Sequence, residues 1–204
     1  AMAGCCLMLS AVSPALSSRV KASISRDRIG CKATDILLFS VGEVNANKNH
    51  VVVIRALATM NRKDVHYVIA GRGELMEQHK SLIAELGMQD RVHLLGYCDE
   101  VSRWYQAADI FVFPSFREGL SVSLMEAMAS GLPCIVSKIR GNTDLIGENG
   151  GIYIQPSDQA SVKAALTQML SRCVRSMGAY NREKIQGFSI EKVASSMQQI
   201  YFGE

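Results

Sequence analysis

Residues 108–137 read ADIFVFPSFREGLSVSLMEAMASGLPCIVS. The run DIFVFP (109–114) is short, apolar and rich in aromatic and β-branched residues, and it stops at Pro114, so it predicts a strand. A polar loop carrying Glu118 and Gly119 follows. In SVSLMEAMASGLP the apolar residues return at helical spacing. Ser121 stands where a side-chain oxygen can cap the first turn, Gly131 can close the last turn, and Pro133 forbids continuation. PCIVS (133–137) is strand-like again. A strand, a helix and a strand in so short a span form a crossover unit, which joins parallel strands.

The same alternation extends in both directions. Upstream lie the strand-like runs ILLFSV (36–41), VHYVIA (65–70) and RVHLLG (91–96), and downstream lies GIYIQ (151–155). Between them, KNHVVVIRALATM predicts a helix capped by Asn49, ELMEQHKSLIAELG a helix closed by Gly87, and DEVSRWYQAA a third. Beyond residue 156 the chain reads as mostly helical, with ASVKAALTQMLSRC and SIEKVASSMQQIY as amphipathic stretches. The expected fold class is α/β: one three-layer Rossmann-like domain around a mainly parallel sheet of about six strands.

Of the 204 residues 48% are hydrophobic and 20% charged, a balance that supports a buried core and excludes a disordered chain. The net charge is +3 with Lys and Arg scattered, which argues against a nucleic-acid partner. Cys5, Cys6, Cys31, Cys98, Cys134 and Cys173 include no CxxC pair and none stands near a histidine pair. Their spacing therefore suggests neither a zinc site nor a disulfide framework and fits a reducing, cytoplasmic compartment. Cys98 and Cys134, beside strand-like runs, read as small hydrophobes. Residues 1–34 open with AMAGCCLMLSAVSPALSSRV, which has no leading positive charge, is interrupted by Pro14 and is too short to span a bilayer. They are expected to be a helical N-terminal extension.

Open parallel sheets bind ligands beyond the carboxyl ends of their strands. The loops there read GEVNANKN, GRGE, GYCDE and SFREGLSV, the first three beginning with Gly42, Gly71 and Gly96. EGLSVS opens a helix, whose first amides have no internal partner and whose dipole favours an anion, so Gly119, Leu120, Ser121 and Val122 can hold a phosphate. A well-capped buried helix accounts for the same residues. At about 100° per residue, Leu124, Met125 and Met128 share a face and Glu126 points roughly 150° away, toward solvent or a cleft. Carboxylates accept hydrogen bonds from sugar hydroxyls, so Glu126 suits a ribose and Glu118 a hexose attached to the same diphosphate. Lys48 can bring a cation to a departing diphosphate. Gly96 and Tyr97 can meet a base, although a tyrosine there can equally pack in the core. No Asp-x-Asp triplet occurs, so no metal site and no cofactor are expected. His50 and His79 are dispersed, and His66 and His93 sit within strands and read as structural.

Together with SVGEVNANKNH, VIAGRGEL, RVHLLGY and GNTDLIGENGGIYI, the opening stretch resembles the donor-binding half of the family 4, or group 1, glycosyltransferases, which have the GT-B fold. The likeness runs from residue 35 to 202, and its most specific part is Glu-x7-Glu, at Glu118 and Glu126. It implies retaining, metal-independent transfer of a hexosyl group from a nucleotide diphosphate sugar, with a UDP-sugar as the favoured donor. In that pattern Glu118 contacts the transferred sugar, Glu126 the ribose, and the amides from Gly119 to Val122 the diphosphate. Lys48 matches the lysine of a Gly-Arg-Leu-x3-Lys pattern. Gly42, Gly71, Arg72, Gly96 and Tyr97 complete the donor set. The family also implies capsular or cell-surface polysaccharide biosynthesis at the inner face of the cytoplasmic membrane, with peripheral membrane association and a glycan or lipid-linked acceptor.

Two departures stand out. Glu43 occupies the place of the pattern's arginine, with Arg72 or Lys138 as candidate replacements for the lost cation. The N-terminal acceptor domain of the family has no counterpart in residues 1–34, where only SISRDRIGCKATD resembles the segment that leads into the donor domain. Residues 35–204 are thus expected to bind donor and, without the acceptor domain, to transfer little or nothing. The stretch REKIQGFSIEKVASSMQQIY normally crosses onto that domain, and its apolar surface allows a homodimer. The alternatives are a non-catalytic nucleotide-sugar-binding module or truncated product, and a nucleotide-sugar epimerase.

Overall fold

A computed structural model describes residues 25–171 and 175–189, with Lys192, Gln198 and Gln199. The strands are β1 (Ile36–Val41), β2 (Val65–Ala70), β3 (Val92–Gly96), β4 (Ile110–Phe113), β5 (Cys134–Ser137) and β6 (Gly151–Ile154). The helices are α1 (His50–Ala58), α2 (Met76–Glu85), α3 (Val101–Ala107), α4 (Val122–Ala129), α5 (Arg140–Ile146), α6 (Gln159–Ser171) and α7 (Arg175–Ile185). Every strand pairing is parallel, in the order β3-β2-β1-β4-β5-β6. That order reverses direction between β1 and β4, the switch point where doubly wound sheets open a crevice.

All residues of β2, β4 and β5 are buried. A parallel sheet covered on both faces needs apolar side chains on both, so its strands appear in sequence as continuous apolar runs. Leu38, Tyr67, Ile69, Val112 and Ile135 face the layer of α1, α2 and α6. Leu37, Phe39, Val68, Phe111, Phe113 and Val136 face the layer of α3, α4, α5 and α7. Each large side chain so buried contributes roughly 1.5–3 kcal/mol. The expected three-layer architecture is the observed one, and the strand boundaries match or fall short by one residue at one end or, for β4, at both.

Three details of the sequence reading need correction. Asn49 does not cap α1 with its side chain: it adopts a left-handed conformation, and its amide instead donates to the carbonyls of Pro114 at 3.3 Å and Pro156 at 2.7 Å. It therefore fastens the start of α1 to the exit of β4. Helix α5 was not anticipated as a helix of its own, because RGNTDLI is short, polar and lacks a clear apolar stripe. On α4, Leu124, Ala127 and Met128 are the buried residues, while Met125 is only partly covered.

Other readings hold. Ser121 accepts from the Leu124 amide at 3.4 Å, and α4 ends at Gly131 in a left-handed conformation. The helical reading of residues 1–24 and most of SIEKVASSMQQIY lie outside the described residues. Among the described residues, no helix is long and apolar enough to cross a membrane.

The amino ends of the strands are closed by Arg26. Its guanidinium donates to the Ala107 carbonyl at 3.0 Å and the Asp35 carbonyl at 2.9 Å, and pairs with Asp109 at 2.6 Å. Asp109 in turn accepts from the Leu37 amide at 2.8 Å.

Candidate active site

The loops leaving β1 and β4 meet at the switch point. Lys48 Nζ stands 2.7 Å from Glu118 Oε1, with the two side chains only 17% and 12% exposed, and the ammonium lies 4.7 Å from the centre of the Phe113 ring. Asn47 holds the two loops in register: its carbonyl accepts from the Phe116 amide, and its side chain both donates to the Arg117 carbonyl and accepts from the Arg117 amide. Asn45 accepts from the Lys48 amide at 3.0 Å and donates to the Glu43 carboxylate at 2.9 Å. Glu43 is itself exposed. Nothing in the sequence marked Asn47, since an asparagine in a polar loop is unremarkable until its partner, seventy positions away, is known.

At the start of α4 the amides of Gly119, Leu120, Ser121 and Val122 donate to no group among the described residues, and Leu120 and Val122 are exposed. The loop leans on α5, where a Cβ on Gly141 would come within 2.1 Å of the Gly119 carbonyl oxygen. Only glycine permits that approach. Asn142, fully buried beside it, donates to the Ser137 carbonyl at 3.0 Å.

Glu126 is partly buried on α4. Burial lifts its carboxyl above the usual range, an effect the neighbouring Tyr105 hydroxyl partly offsets. That hydroxyl donates to the Ser123 carbonyl at 2.9 Å, fixing the ring behind the first turn of α4. The acid thus lies against Tyr105 of α3, outside the face that Leu124, Ala127 and Met128 bury.

The glycines opening the other loops have a packing cause. A Cβ on Gly71 would lie 1.8 Å from the Gly42 carbonyl oxygen, so the β1 and β2 loops touch backbone to backbone. The Gly71 amide donates to the Gly96 carbonyl at 2.8 Å, tying in the third loop. Tyr97 is 66% exposed, with the Arg72 guanidinium 5.2 Å from its ring centre, so it is not a core residue. Lys138 is exposed at the end of β5. The structure therefore brings Lys48 to Glu118 and Arg72 to Tyr97, and it leaves the α4 amides open.

Beneath the first loop, His50 is fully buried, its Nδ1 lying 3.2 Å from the Tyr67 hydroxyl, which is 2.7 Å from Ser40 Oγ. Ser40 donates to the Val112 carbonyl, so the chain of polar groups crosses from α1 to β4. Burial, with His79 and Lys48 nearby, lowers the His50 pKa to about 3.

The sequence profile of "Glycosyl transferases group 1" matches residues 22–184. The chain belongs to this family. It is 31% identical over 189 residues to the UDP-Gal:alpha-D-GlcNAc-diphosphoundecaprenol alpha-1,3-galactosyltransferase of Escherichia coli, covering 89% of this chain and 49% of that protein. It is 33% identical over 164 residues to the amylovoran biosynthesis glycosyltransferase AmsK of Erwinia amylovora, covering 73% of this chain and 40% of that one. Among solved structures, sucrose-phosphate synthase of Thermosynechococcus elongatus superimposes with a TM-score of 0.80 at 25% identity, covering 95% of this chain and 49% of the other. Anabaena HepE in complex with UDP gives 0.79 at 20% identity, covering 91% and 54%, and shares the fold. The chain therefore spans about half the length of the first relatives it matches.

Proposed function

We propose that residues 35–204 form the donor-binding domain of a retaining glycosyltransferase that takes a hexosyl group from a nucleotide diphosphate sugar. The observation that carries this reading is the Lys48–Glu118 pair at 2.7 Å, sheltered at the switch point beside unpartnered helix-start amides. A sheltered ion pair adds little net stability, because desolvating both ions offsets most of their attraction. A capped structural helix would not need one. A donor changes the balance: Lys48 turns to the diphosphate, and Glu118, released, accepts hydrogen bonds from the sugar.

In this arrangement the amides of Gly119 to Val122 and Lys48 meet the charge that grows on the leaving diphosphate, so the phosphate needs no metal of its own. Glu126 holds the ribose. Gly96 and Tyr97, with Arg72 stacked on the ring, border the base, and Gly42, Glu43 and Gly71 form the floor. Arg72 or Lys138 supplies the cation that Glu43 lacks. A UDP-sugar is the favoured donor, in keeping with the donor in the E. coli relative's name and the UDP bound to HepE. The diphosphoundecaprenol in the same name supports a lipid-linked glycan as acceptor, and the proposed setting is surface polysaccharide synthesis at the inner face of the cytoplasmic membrane. Transfer requires that acceptor to be held against the donor, so the domain by itself binds and transfers little.

Calorimetry and thermal shift with UDP, GDP and ADP and their sugars test the reading. We expect one diphosphate series to raise the melting temperature, and Lys48→Ala or Glu118→Ala to weaken its affinity by about tenfold or more. If no nucleoside diphosphate binds, or if both variants bind like the parent, the assignment fails.

A further inference from the structure

The opposite end of the sheet carries a second cluster of reactive side chains. Cys31 in the turn before β1, Asp35 just ahead of β1 and His66 in β2 place a thiol, a carboxylate oxygen and a ring nitrogen within 4.8 Å of one another. Cys31 and His66 are buried, and the Asp35 side chain is only 13% exposed. We propose that these three residues bind a zinc ion that fastens the segment leading into the sheet onto β1 and β2.

Three features support zinc over a plain ion pair. The donor set of one sulfur, one nitrogen and one oxygen suits a borderline-soft cation and not calcium or magnesium. Asp35 Oδ2 and His66 Nε2 are 3.5 Å apart, close to the edge of a tetrahedron with bonds of about 2.0–2.1 Å. The ring also has the support that ligating histidines need: Nδ1 of His66 lies 3.3 Å from Nε2 of His93, which can accept its proton and leave Nε2 free for the metal. The two rings stack at 9°.

The charges balance as well. A thiolate and a carboxylate neutralise a divalent ion. Without a metal, burial holds the Cys31 thiol above its ordinary pKa, and Arg26 Nη1, 3.7 Å from the sulfur, works against that rise, while Asp109 and three carbonyls hold the guanidinium in place. The fourth position is left for water. Because Cys31 and Asp35 come from the segment before β1 and His66 from β2, thirty-one positions further on, no zinc spacing rule in the sequence reveals them.

The 204-residue chain, stripped with chelator and titrated with cobalt(II) as a spectroscopic substitute, tests the site. Expected are one tightly bound cobalt per chain, a thiolate-to-cobalt charge-transfer band, its displacement by one equivalent of zinc, and a higher melting temperature with zinc. Cys31→Ser should abolish the band, His66→Gln should weaken binding by about tenfold or more, and Cys98→Ser should change neither. No charge-transfer band in the parent chain, or a band that survives Cys31→Ser, overturns the proposal. If Cys31→Ser fails to fold, alkylation mapped by mass spectrometry decides: zinc must slow labelling of Cys31, and protection absent there or found only at Cys5, Cys6 or Cys173 overturns the site.

Discussion

The two ends of the sheet treat polar groups in opposite ways. At the amino ends of the strands, Arg26 satisfies three carbonyls and Asp109, and Asp109 also takes the Leu37 amide. At the carboxyl ends, the Gly119–Val122 amides have no partner among the described residues, and Tyr97, Phe116, Leu120 and Val122 lie exposed. The strands between are the same strands. The difference teaches that rigidity and availability are separated along the strand direction, with one rim fastening the fold and the other holding groups ready for a ligand.

Gly71→Ala should break the carboxyl rim most severely. A Cβ at 1.8 Å from the Gly42 oxygen, on a backbone with φ of 150°, should cost about 3 kcal/mol through overpacking and strain together. Urea denaturation should show it, along with loss of nucleotide binding; an unchanged midpoint would refute the backbone contact.

Protonation should reach the same rim through His50. Its folded pKa, about 3, lies below its unfolded value, so the unfolded chain binds the extra proton first. Stability from this group is complete above about pH 6.5, falls by up to about 1.4 kcal/mol per unit as pH drops, and levels off near the folded pKa. His50→Gln should flatten the acid limb of a stability-versus-pH curve; a parallel curve would show that the histidine is not buried neutral.

Arg26→Met tests the amino rim, where a charged donor loses several acceptors. Destabilisation by about 2 kcal/mol is expected, with UDP affinity unaltered. Weaker nucleotide binding in the folded variant would mean that the rims are coupled after all.

Glu126→Gln should give the smallest and most telling effect. Burial raises the folded pKa of this acid, so its ionised form is disfavoured in the fold and its stability penalty appears as pH rises above the unfolded carboxylate value. The amide variant should melt slightly higher than the parent at pH 7 and bind UDP about tenfold more weakly. A lower melting point would place Glu126 with the fastening groups instead.

How far the sequence could be read follows from how local each signal is. Buried parallel strands need apolar side chains on both faces, so ILLFSV and VHYVIA mark β1 and β2 with their observed limits. Ser121 and the outward direction of Glu126 were legible because helix geometry separates a capping position from an outward-facing one, whereas Glu118, ahead of the helix, was singled out by the resemblance to the Glu-x7-Glu pattern. Helix α5 was not, since its place depends on Gly141 meeting the Gly119 backbone. Asn49 misled because a capping residue type is a local cue, whereas its carbonyl partners belong to other elements.

By itself the sequence determined the layer order, the strand limits and the loops that carry polar residues, because hydrophobic period and turn chemistry act within a few residues. Only the tertiary structure decided that Lys48 sits against Glu118, that Tyr97 stays in solvent beside Arg72, and that Cys31, Asp35 and His66 converge. Lys48 and Glu118, Arg72 and Tyr97, and His66 and the Cys31–Asp35 segment are distant in the chain, and their distances exist only once the sheet has set the register of its strands.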